Sequence, residues 1–393
     1  MSNLFAEQLQ ALRTRSLYRQ LREIGTAQGA NIDLVGKHLI NFSSNDYLGL
    51  ANDPRLREAA IATIQEFGVG AGASRLVSGT QSPHLRLEEA LAKWKGTGAA
   101  LCFSSGYAAA VGTLPALVTS KDVILLDKLC HASLIDGAKL SGATLRVFPH
   151  NHLGKLESQL DWARRERSQS RLLIVTESVF SMDGDRAPLR DLVELKQRFG
   201  AWLFVDEAHA IGVLGPNGRG LAAAEGVDGD IDIQMGTLSK ALGVSGGYIC
   251  GSRSLIDWLI NRARSFIFST AQPPVLAGAA LAAVNLINSP EGEERRQLLG
   301  RKIEILRDQL PPAPGSAGPP RSSSAIFPWI VGDEQAALDL SRGLINEGFL
   351  VPAIRYPTVA KGSARLRITV TASHEEAQIE ALCKTLGRFT ASK

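Results

Sequence analysis

Seven short apolar runs alternate with longer amphipathic segments through the middle of this chain. Apolar runs without alternation are typical of strands buried on both faces, and helical segments between them are typical of βαβ crossovers. The pattern therefore predicts an α/β protein whose large domain holds a mostly parallel, seven-stranded sheet with helices on both sides. The runs are Ala99–Phe103, Val123–Asp127, Leu145–Phe148, Leu172–Glu177, Trp202–Glu207, Ile231–Met235 and Tyr248–Cys250.

The two ends of the chain carry different patterns. Leucines recur from Leu4 to Leu21 among polar residues, with the spacing of one amphipathic helix. Residues 311–320 are rich in proline and glycine, which predicts a connector, and strand patterns follow at 325–331 and 365–370. We expect three parts: an N-terminal helical segment (1–45), a large domain (46–280) and a smaller C-terminal α+β domain (281–393).

Composition narrows the class of protein. The 393 residues are 45% apolar and 21% charged, so the chain can bury a sizeable core. A net charge of +4 is far from the dense cationic face that nucleic-acid binding requires. Four widely spaced cysteines without a C-x-x-C pair favour reduced thiols over disulfides or a metal site. With no apolar signal segment and no run near the ~20 residues of a membrane span, we expect a cytoplasmic protein without a membrane anchor.

Two glycine-rich stretches partly resemble nucleotide-binding motifs. Gly68–Ala73 fits G-x-G-x-x-A, but a helical pattern precedes it, whereas the dinucleotide fingerprint follows a strand. Gly236–Lys240 lacks the spacing of a P-loop. Neither stretch supports NAD or ATP.

A more informative pair is an acid and a lysine. Asp206 ends a fully apolar run, where a carboxylate is costly to desolvate unless a cation pairs with it. Lys240 stands among glycine and apolar neighbours, where a lysine pKa falls and the amine can form a Schiff base. Each residue alone also fits a structural role, an N-cap or ion pair for Asp206. Together they fit pyridoxal phosphate (PLP), which needs a lysine for its aldehyde and an acid for its ring nitrogen. His209 could donate to the phenolic oxygen, and the helix start at Ser104–Tyr107 could hold the phosphate.

The chain resembles the fold-type I PLP enzymes and, within them, the α-oxoamine synthases. The matching segments occur in family order and span nearly the whole chain. They are Asn41–Leu50, Ser104–Tyr107, His131–Leu134, Glu177–Asp185, Val205–His209, Thr237–Lys240, Gly243–Gly247 and Ala364–Thr369.

This resemblance implies roles for individual residues at a PLP site. Lys240 would hold the cofactor and later act as the proton-transfer base. Asp206 would pair with the ring nitrogen, His209 with the phenolic oxygen, and His131 would lie over the ring face. Without the family match, His131 is more simply a satisfied core histidine.

Four further residues would complete the cofactor site by the same resemblance. Ser181 and Thr237 would contact the cofactor, Thr237 at its phosphate, with Gly106 and Tyr107 beside it. Serine and threonine are commonly plain turn residues, so these two rest on the match alone.

The family condenses a small amino acid with an acyl thioester and releases carbon dioxide. Asn45 and Arg367 are similar to the pair that holds the amino-acid carboxylate. The segment 351–358 resembles that of the family members that use a pimeloyl donor, which implies L-alanine and a pimeloyl thioester of coenzyme A or acyl carrier protein as substrates. Arg19, Arg355 and Thr358 are the expected donor-binding residues, since the pimeloyl chain ends in a carboxylate.

Other activities stay open at this point. Tyr356 stands where pimeloyl-using members have proline and also occurs in relatives that use acetyl or succinyl donors, so a glycine C-acetyltransferase or a 5-aminolevulinate synthase remains an alternative. An aminotransferase fits the Asn45 and His131 contexts less well. A non-catalytic subunit of the same fold would lack the lysine that this chain has at Lys240. The family forms homodimers with sites between subunits, so a homodimer is expected.

Overall fold

The chain divides into two compact units. The computed structural model describes residues 2–314, 318 and 322–391. The central unit comprises Leu50–Ser181 and Arg186–Arg296. The terminal unit comprises the chain up to Gly49 and from Gln297 onward, together with Met182–Asp185. The expected domain division at residues 45 and 280 stays a proposal.

Helices and strands alternate along most of the described residues. Short turns of 3₁₀- or π-helix lie at Arg75–Gly79, Pro216–Gly218 and Asp228–Asp230. The strands are β1 (Asn31–Leu34), β2 (Lys37–Asn41), β3 (Ala99–Phe103), β4 (Val123–Asp127), β5 (Thr144–Phe148), β6 (Leu172–Glu177), β7 (Trp202–Asp206), β8 (Ile233–Thr237), β9 (Gly247–Gly251), β10 (Ile326–Gly332), β11 (Phe349–Leu350), β12 (Ala353–Ile354) and β13 (Ala364–Thr369). The α-helices are α1 (Ser2–Thr14), α2 (Pro54–Phe67), α3 (Ser82–Lys95), α4 (Gly106–Leu117), α5 (Ala132–Leu140), α6 (Leu153–Glu166), α7 (Leu189–Phe199), α8 (Leu221–Glu225), α9 (Arg253–Arg262), α10 (Arg264–Ile267), α11 (Pro274–Ile287), α12 (Pro290–Gln309), α13 (Glu334–Asn346) and α14 (Glu376–Ala391).

The central unit holds a seven-stranded sheet in the order β3-β9-β8-β7-β6-β4-β5. Strands β8, β7, β6, β4 and β5 pair in parallel, and β9 is antiparallel to both of its neighbours. The predicted fold class, with a mostly parallel seven-stranded sheet, is confirmed. The strand β5 was expected to be fully buried, but residues 144–147 are partly exposed. They are exposed because β5 lies at the edge of the sheet.

Helices cover both faces of this sheet, as a parallel sheet requires. Apolar residues of α4, α5 and α9 form one core cluster against strands such as β3 and β8. Apolar residues of α6, α7 and α8 form the other, against β4, β6 and β7. The carboxyl ends of the parallel strands therefore meet at one edge, where open α/β sheets place their ligand sites.

The terminal unit contains two three-stranded sheets, β1-β2-β11 and β10-β13-β12. Every residue of β13 is buried, including two arginines. The first helix is shorter than the leucine pattern predicts: α1 ends at Thr14, and Ser16 has a positive φ of 56° that stops the helix. Leu21 is consequently fully exposed, and Arg19 lies after the helix in a segment that is neither helix nor strand.

No helix in the described ranges combines the length and apolar character needed to cross a bilayer.

Candidate active site

The carboxyl ends of β6, β7 and β8 and the start of α4 enclose a cavity of about 220 Å³ in the central unit. Its lining includes seven of the eight predicted cofactor residues, while Ser181 lies in the loop after β6. The full lining is Ser105, Gly106, Tyr107, His131, Ser133, Glu177, Asp206, Ala208, His209, Met235, Thr237, Ser239 and Lys240.

Asp206 supplies a buried carboxylate. It is the last residue of β7 and is 5% exposed, and its Oδ1 accepts the Ala208 N–H at 2.9 Å. Burial raises the pKa of Asp206, while the charge of Lys240 opposes the rise. Lys240 itself is half-buried rather than enclosed, since it lies in the loop between β8 and β9. A carboxylate and an amine thus face one cavity.

Glu177 is a second carboxylate that the predicted set of site residues does not include. It ends β6 directly beside Asp206, because the two residues are Cα partners in the parallel β6–β7 pair. Its pKa is raised to about 8, first by burial and then by the charge of Asp206. A sequence signal existed, since Glu177 ends an apolar run just as Asp206 does.

The start of α4 forms an anion-binding corner of the cavity. Ser105 is the N-cap, and its Oγ accepts the Ala108 N–H at 3.0 Å. The N–H groups of Gly106 and Tyr107 precede the first turn of the helical ladder, so the helix itself does not satisfy them. A Cβ on Gly106 would lie 3.5 Å from Met235 and 3.8 Å from Thr237, so the Thr237 side chain lies directly beside this helix start. Such a helix start with small neighbours is suited to a phosphate.

The two histidines lie at different depths. His131 is exposed and caps α5, with its Nδ1 2.8 Å from Ser133 Oγ and accepting the Ser133 N–H at 3.2 Å. Because Nδ1 is an acceptor, a neutral His131 carries its proton on Nε2. His209 is buried. Tyr107 is exposed, and its hydroxyl donates to Asp136 at 2.8 Å.

The terminal unit brings together the residues expected to bind substrates, in two groups. Arg367 on β13 is buried, and its Nη2 donates to Asn45 Oδ1 at 3.1 Å. Arg19 Nη2 donates to Thr358 Oγ1 at 3.2 Å, and Arg355 Nη1 donates to the Ser16 carbonyl.

Two members of the second group, Arg19 and Arg355, line a cavity of about 670 Å³. Arg13, Arg22 and Arg342 join Arg19 and Arg355 there. Burial and the charges of Arg19 and Arg22 lower the pKa of Arg355, because the guanidinium groups repel one another. The sequence patterns did not point to Arg13, Arg22 or Arg342, since lone arginines near a helix end or on a helix surface carry no distinguishing signal.

The cavity of the central unit fits PLP. It offers a helix start for a phosphate, a buried carboxylate for a cationic ring nitrogen and a lysine amine for an aldehyde. With the doubly covered sheet behind it, this arrangement defines a PLP-dependent enzyme of fold type I.

Comparison with known proteins agrees with this class. The profile of the family "Aminotransferase class I and II" matches residues 37–386. The 8-amino-7-oxononanoate synthase of Geobacter sulfurreducens is 48% identical over 389 residues, which are 99% of this chain and 98% of that protein. The chain belongs to the aminotransferase class I and II family and, within it, to the family of the 8-amino-7-oxononanoate synthases.

Solved structures share the fold over nearly the whole chain. A serine palmitoyltransferase from S. paucimobilis with bound PLP has a TM-score of 0.91 at 29% identity, covering 100% of this chain and 98% of that one. The 8-amino-7-oxononanoate synthase of Francisella tularensis has a TM-score of 0.75 at 28% identity, covering 90% and 98%. The predicted family, fold class and cofactor are confirmed.

Proposed function

We propose that this protein catalyses the PLP-dependent decarboxylative condensation of L-alanine with a pimeloyl thioester. The products are 8-amino-7-oxononanoate, carbon dioxide and the free thiol of coenzyme A or acyl carrier protein, a step of biotin biosynthesis. The observation that carries the proposal is the cavity in which Lys240, Asp206 and His131 meet at the carboxyl ends of the sheet. The similarity over nearly the full length to 8-amino-7-oxononanoate synthases supports these substrates.

The cofactor residues divide into those that hold it and those that move protons. PLP, when bound, supplies the electron sink that lets bonds to the amino-acid α-carbon break and re-form. Lys240 binds the cofactor aldehyde and then takes and returns the α-proton. Asp206 keeps a proton on the ring nitrogen, since a buried carboxylate beside a cation favours the charged pair. His131 would lie over the bound ring, with its Nε2 proton available to a substrate oxygen.

The remaining residues hold the cofactor at its rim. The N–H groups of Gly106 and Tyr107 bind the phosphate with the hydroxyl of Thr237. His209 and Ser181 contact the phenolic oxygen and the ring.

The terminal unit supplies substrate recognition in this proposal. Arg367 and Asn45 hold the alanine carboxylate, since a buried guanidinium gives a strong charge-assisted hydrogen bond. Arg19, Arg355 and Thr358 bind the distal carboxylate of the pimeloyl chain. Among the described residues, no ion pair joins a carboxylate to Arg19 or Arg355, and Glu334 attracts Arg355 only from a greater distance. Both guanidinium groups can therefore pair with an anionic donor. This favours a donor whose acyl chain ends in a carboxylate over an acetyl donor. Succinyl and pimeloyl donors both end in a carboxylate, and the product assay described below distinguishes them.

We propose that the protein works as a cytoplasmic homodimer. Residues 73–79 lie beside residues 264–271, through the Ser74–Thr270 bridge, and both segments expose large apolar side chains. Val77 is 80% exposed and Phe268 is 71% exposed. Apolar surface of this kind marks a protein interface. The four cysteines are unpaired and buried, which agrees with a reducing compartment.

A product assay tests the function. Purified protein is incubated with PLP and with pimeloyl-, succinyl- or acetyl-CoA, each with alanine or glycine, and the amino-ketone product is identified by mass. We expect 8-amino-7-oxononanoate from alanine and pimeloyl-CoA. Preference for glycine with succinyl-CoA would contradict the proposed substrates, but it would still agree with the proposed condensation reaction.

Lys240→Ala should abolish product formation, because the lost proton transfer alone is worth ~10²–10⁴ in rate. Lys139→Ala, at an exposed lysine in the last turn of α5, is the control and should keep full activity. More than a few per cent of wild-type turnover in Lys240→Ala would contradict the assignment.

A further inference from the structure

The cavity contains one buried acid to which the proposed mechanism gives no role. Glu177 is 2% exposed, lines the cavity, and sits beside Asp206 across the β6–β7 pair. A carboxylate is rarely this buried unless something in the structure needs its charge or its hydrogen bonds.

The carboxylate of Glu177 joins two loops. Its Oε1 accepts the backbone N–H of His131 at 2.5 Å, from the turn between β4 and α5. It also accepts the backbone N–H of Ser181, from the loop after β6. His131 and Ser181 are both proposed cofactor residues, and each lies on a different loop. The main chain of each residue is hydrogen-bonded to the same Glu177 carboxylate.

The stability of the fold does not explain this arrangement. Two buried carboxylates on paired positions repel each other, and each raises the cost of ionising its neighbour. A glutamine of the same size has one uncharged acceptor oxygen, and its other polar atom is an NH₂ group that can only donate. Both oxygens of a carboxylate accept hydrogen bonds, and they carry the charge that strengthens them. The acid at this position thus destabilises the cofactor-free protein, but its two hydrogen bonds fix the positions of two loops.

Resting on the proposed function, we propose that Glu177 is a positioning residue of the PLP site, whose carboxylate fixes the main chain of His131 and Ser181 and so places the His131 ring against the bound cofactor ring. It acts through these two residues and does not itself take part in proton transfer. The proposal separates ring binding, which depends on Glu177, from phosphate binding at the start of α4, which does not.

Binding to the cofactor-free protein tests this separation when it is measured above the Glu177 pKa of about 8, so that the side chain is a carboxylate. The probe is 4′-deoxypyridoxine 5′-phosphate, which has the ring and phosphate but no aldehyde for Lys240, and inorganic phosphate is measured alongside by calorimetry. Glu177→Gln should weaken the ring probe roughly ten-fold, about the value of one charge-assisted hydrogen bond. Phosphate affinity should change less than two-fold. The same variant should melt at an equal or higher temperature than wild type, because it removes the repulsion from Asp206.

Two further variants identify the cause. Glu177→Asp keeps the charge but shortens the side chain by one methylene, so it should also lose ring affinity; a full rescue would mean that charge alone matters and would overturn the positioning role. Asp122→Asn is the matched control, since Asp122 is a buried acid that also accepts backbone N–H groups, at the start of β4. It should lose stability and keep ring affinity.

A double-mutant cycle tests the route through His131. In a His131→Ala background, Glu177→Gln should weaken the ring probe by much less than ten-fold, because part of its effect has already been removed. Fully additive losses would overturn the positioning of His131. An unchanged affinity in Glu177→Gln would overturn the role of Glu177 while leaving the cofactor assignment intact, whereas a wild-type protein that fails to bind the probe would overturn the cofactor assignment itself.

Discussion

Single side chains at this site combine function with a cost in stability. Glu177 and Asp206 are both buried, and burial raises the pKa of each. The pKa of Glu177 reaches about 8 against an ordinary 4.5. The folded protein therefore holds a proton that the unfolded chain releases between these two pH values. The contribution of Glu177 to stability therefore falls as the pH rises through this window, because the native state still binds a proton that this side chain has released in the unfolded state.

This linkage gives a prediction for the cofactor-free protein. Glu177 should lower the free energy of unfolding by up to ~1.4 kcal/mol for each pH unit in the window. In Glu177→Gln this contribution is absent, so the free energy of unfolding should fall less with pH, or rise. Urea unfolding at about pH 5.5 and 7.5 measures the slope. A slope equal to that of wild type would mean that Glu177 is already ionised in the folded protein.

Arg355 gives a second prediction at the residue scale. If its guanidinium binds the distal carboxylate, Arg355→Ala should cost about 1.5–3 kcal/mol in donor binding, or roughly ten- to hundred-fold in KM for pimeloyl-CoA. The change should be in KM rather than kcat, because this end of the donor keeps its charge throughout the reaction. Steady-state kinetics with alanine held in excess measures it.

A matched control lies in the same cavity. Arg342 is exposed and already pairs with Asp339 at 3.1 Å, so Arg342→Ala should have a small effect. A neutral seven-carbon acyl-CoA should not distinguish Arg355→Ala from wild type. An equal loss with both donors would assign Arg355 to the coenzyme A phosphates or to the fold.

At the scale of elements, the close approach of β9 to α4 shapes the phosphate corner. A Cβ on Gly247, the first residue of β9, would lie 2.6 Å from the main chain of Gly106. Backbone atoms cannot move aside as a flexible side chain can, so glycine is required for the contact. The exposed N–H groups at the start of α4 are therefore held in place by a strand more than a hundred residues later in the chain.

Gly247→Ala should displace the start of α4. We expect a loss of about 1–3 kcal/mol in stability from overpacking, together with weaker phosphate binding. Gly300→Ala is the control, because Gly300 lies inside α12 with open space around its Cβ position. It should gain up to ~1 kcal/mol from helix propensity. Denaturant unfolding and phosphate calorimetry report both quantities, and unchanged phosphate affinity in Gly247→Ala would contradict the coupling.

At the scale of the whole molecule, the exposed apolar segments predict self-association. Wild-type protein should sediment at twice the mass of the 42.0 kDa chain. Val77→Asp combined with Phe268→Asp should shift it toward the monomer, because two charges would have to be buried in the interface. Leu140→Asp, at an equally exposed apolar residue at the end of α5, should leave the dimer intact. A wild-type monomer at micromolar concentration would contradict the proposal.

The sequence by itself predicted most of the elements and most of the residues that line the cavity of the central unit. The apolar runs predicted the strands of the central sheet because full burial on both faces leaves a local signature. Lys240, Asp206 and His131 were predicted from their motifs, which are also local. The predicted length of the first helix was wrong. The leucine spacing continues to Leu21, whereas the helix ends at Thr14, just before the positive φ of Ser16.

The tertiary structure alone decided which residues meet. Strand order brings Glu177 beside Asp206 and places its carboxylate against the main chain of His131, 46 residues away. Arg19 reaches Thr358 over a separation of 339 residues. The burial of a strand or helix is reflected in the residue types of a short segment, so it can be predicted from the sequence. Strand order and long-range contacts depend on how whole elements pack together, so a short segment does not reveal them. For that reason the sequence alone predicted the types of residue at this site, and the fold alone placed Glu177 beside Asp206 in the same cavity.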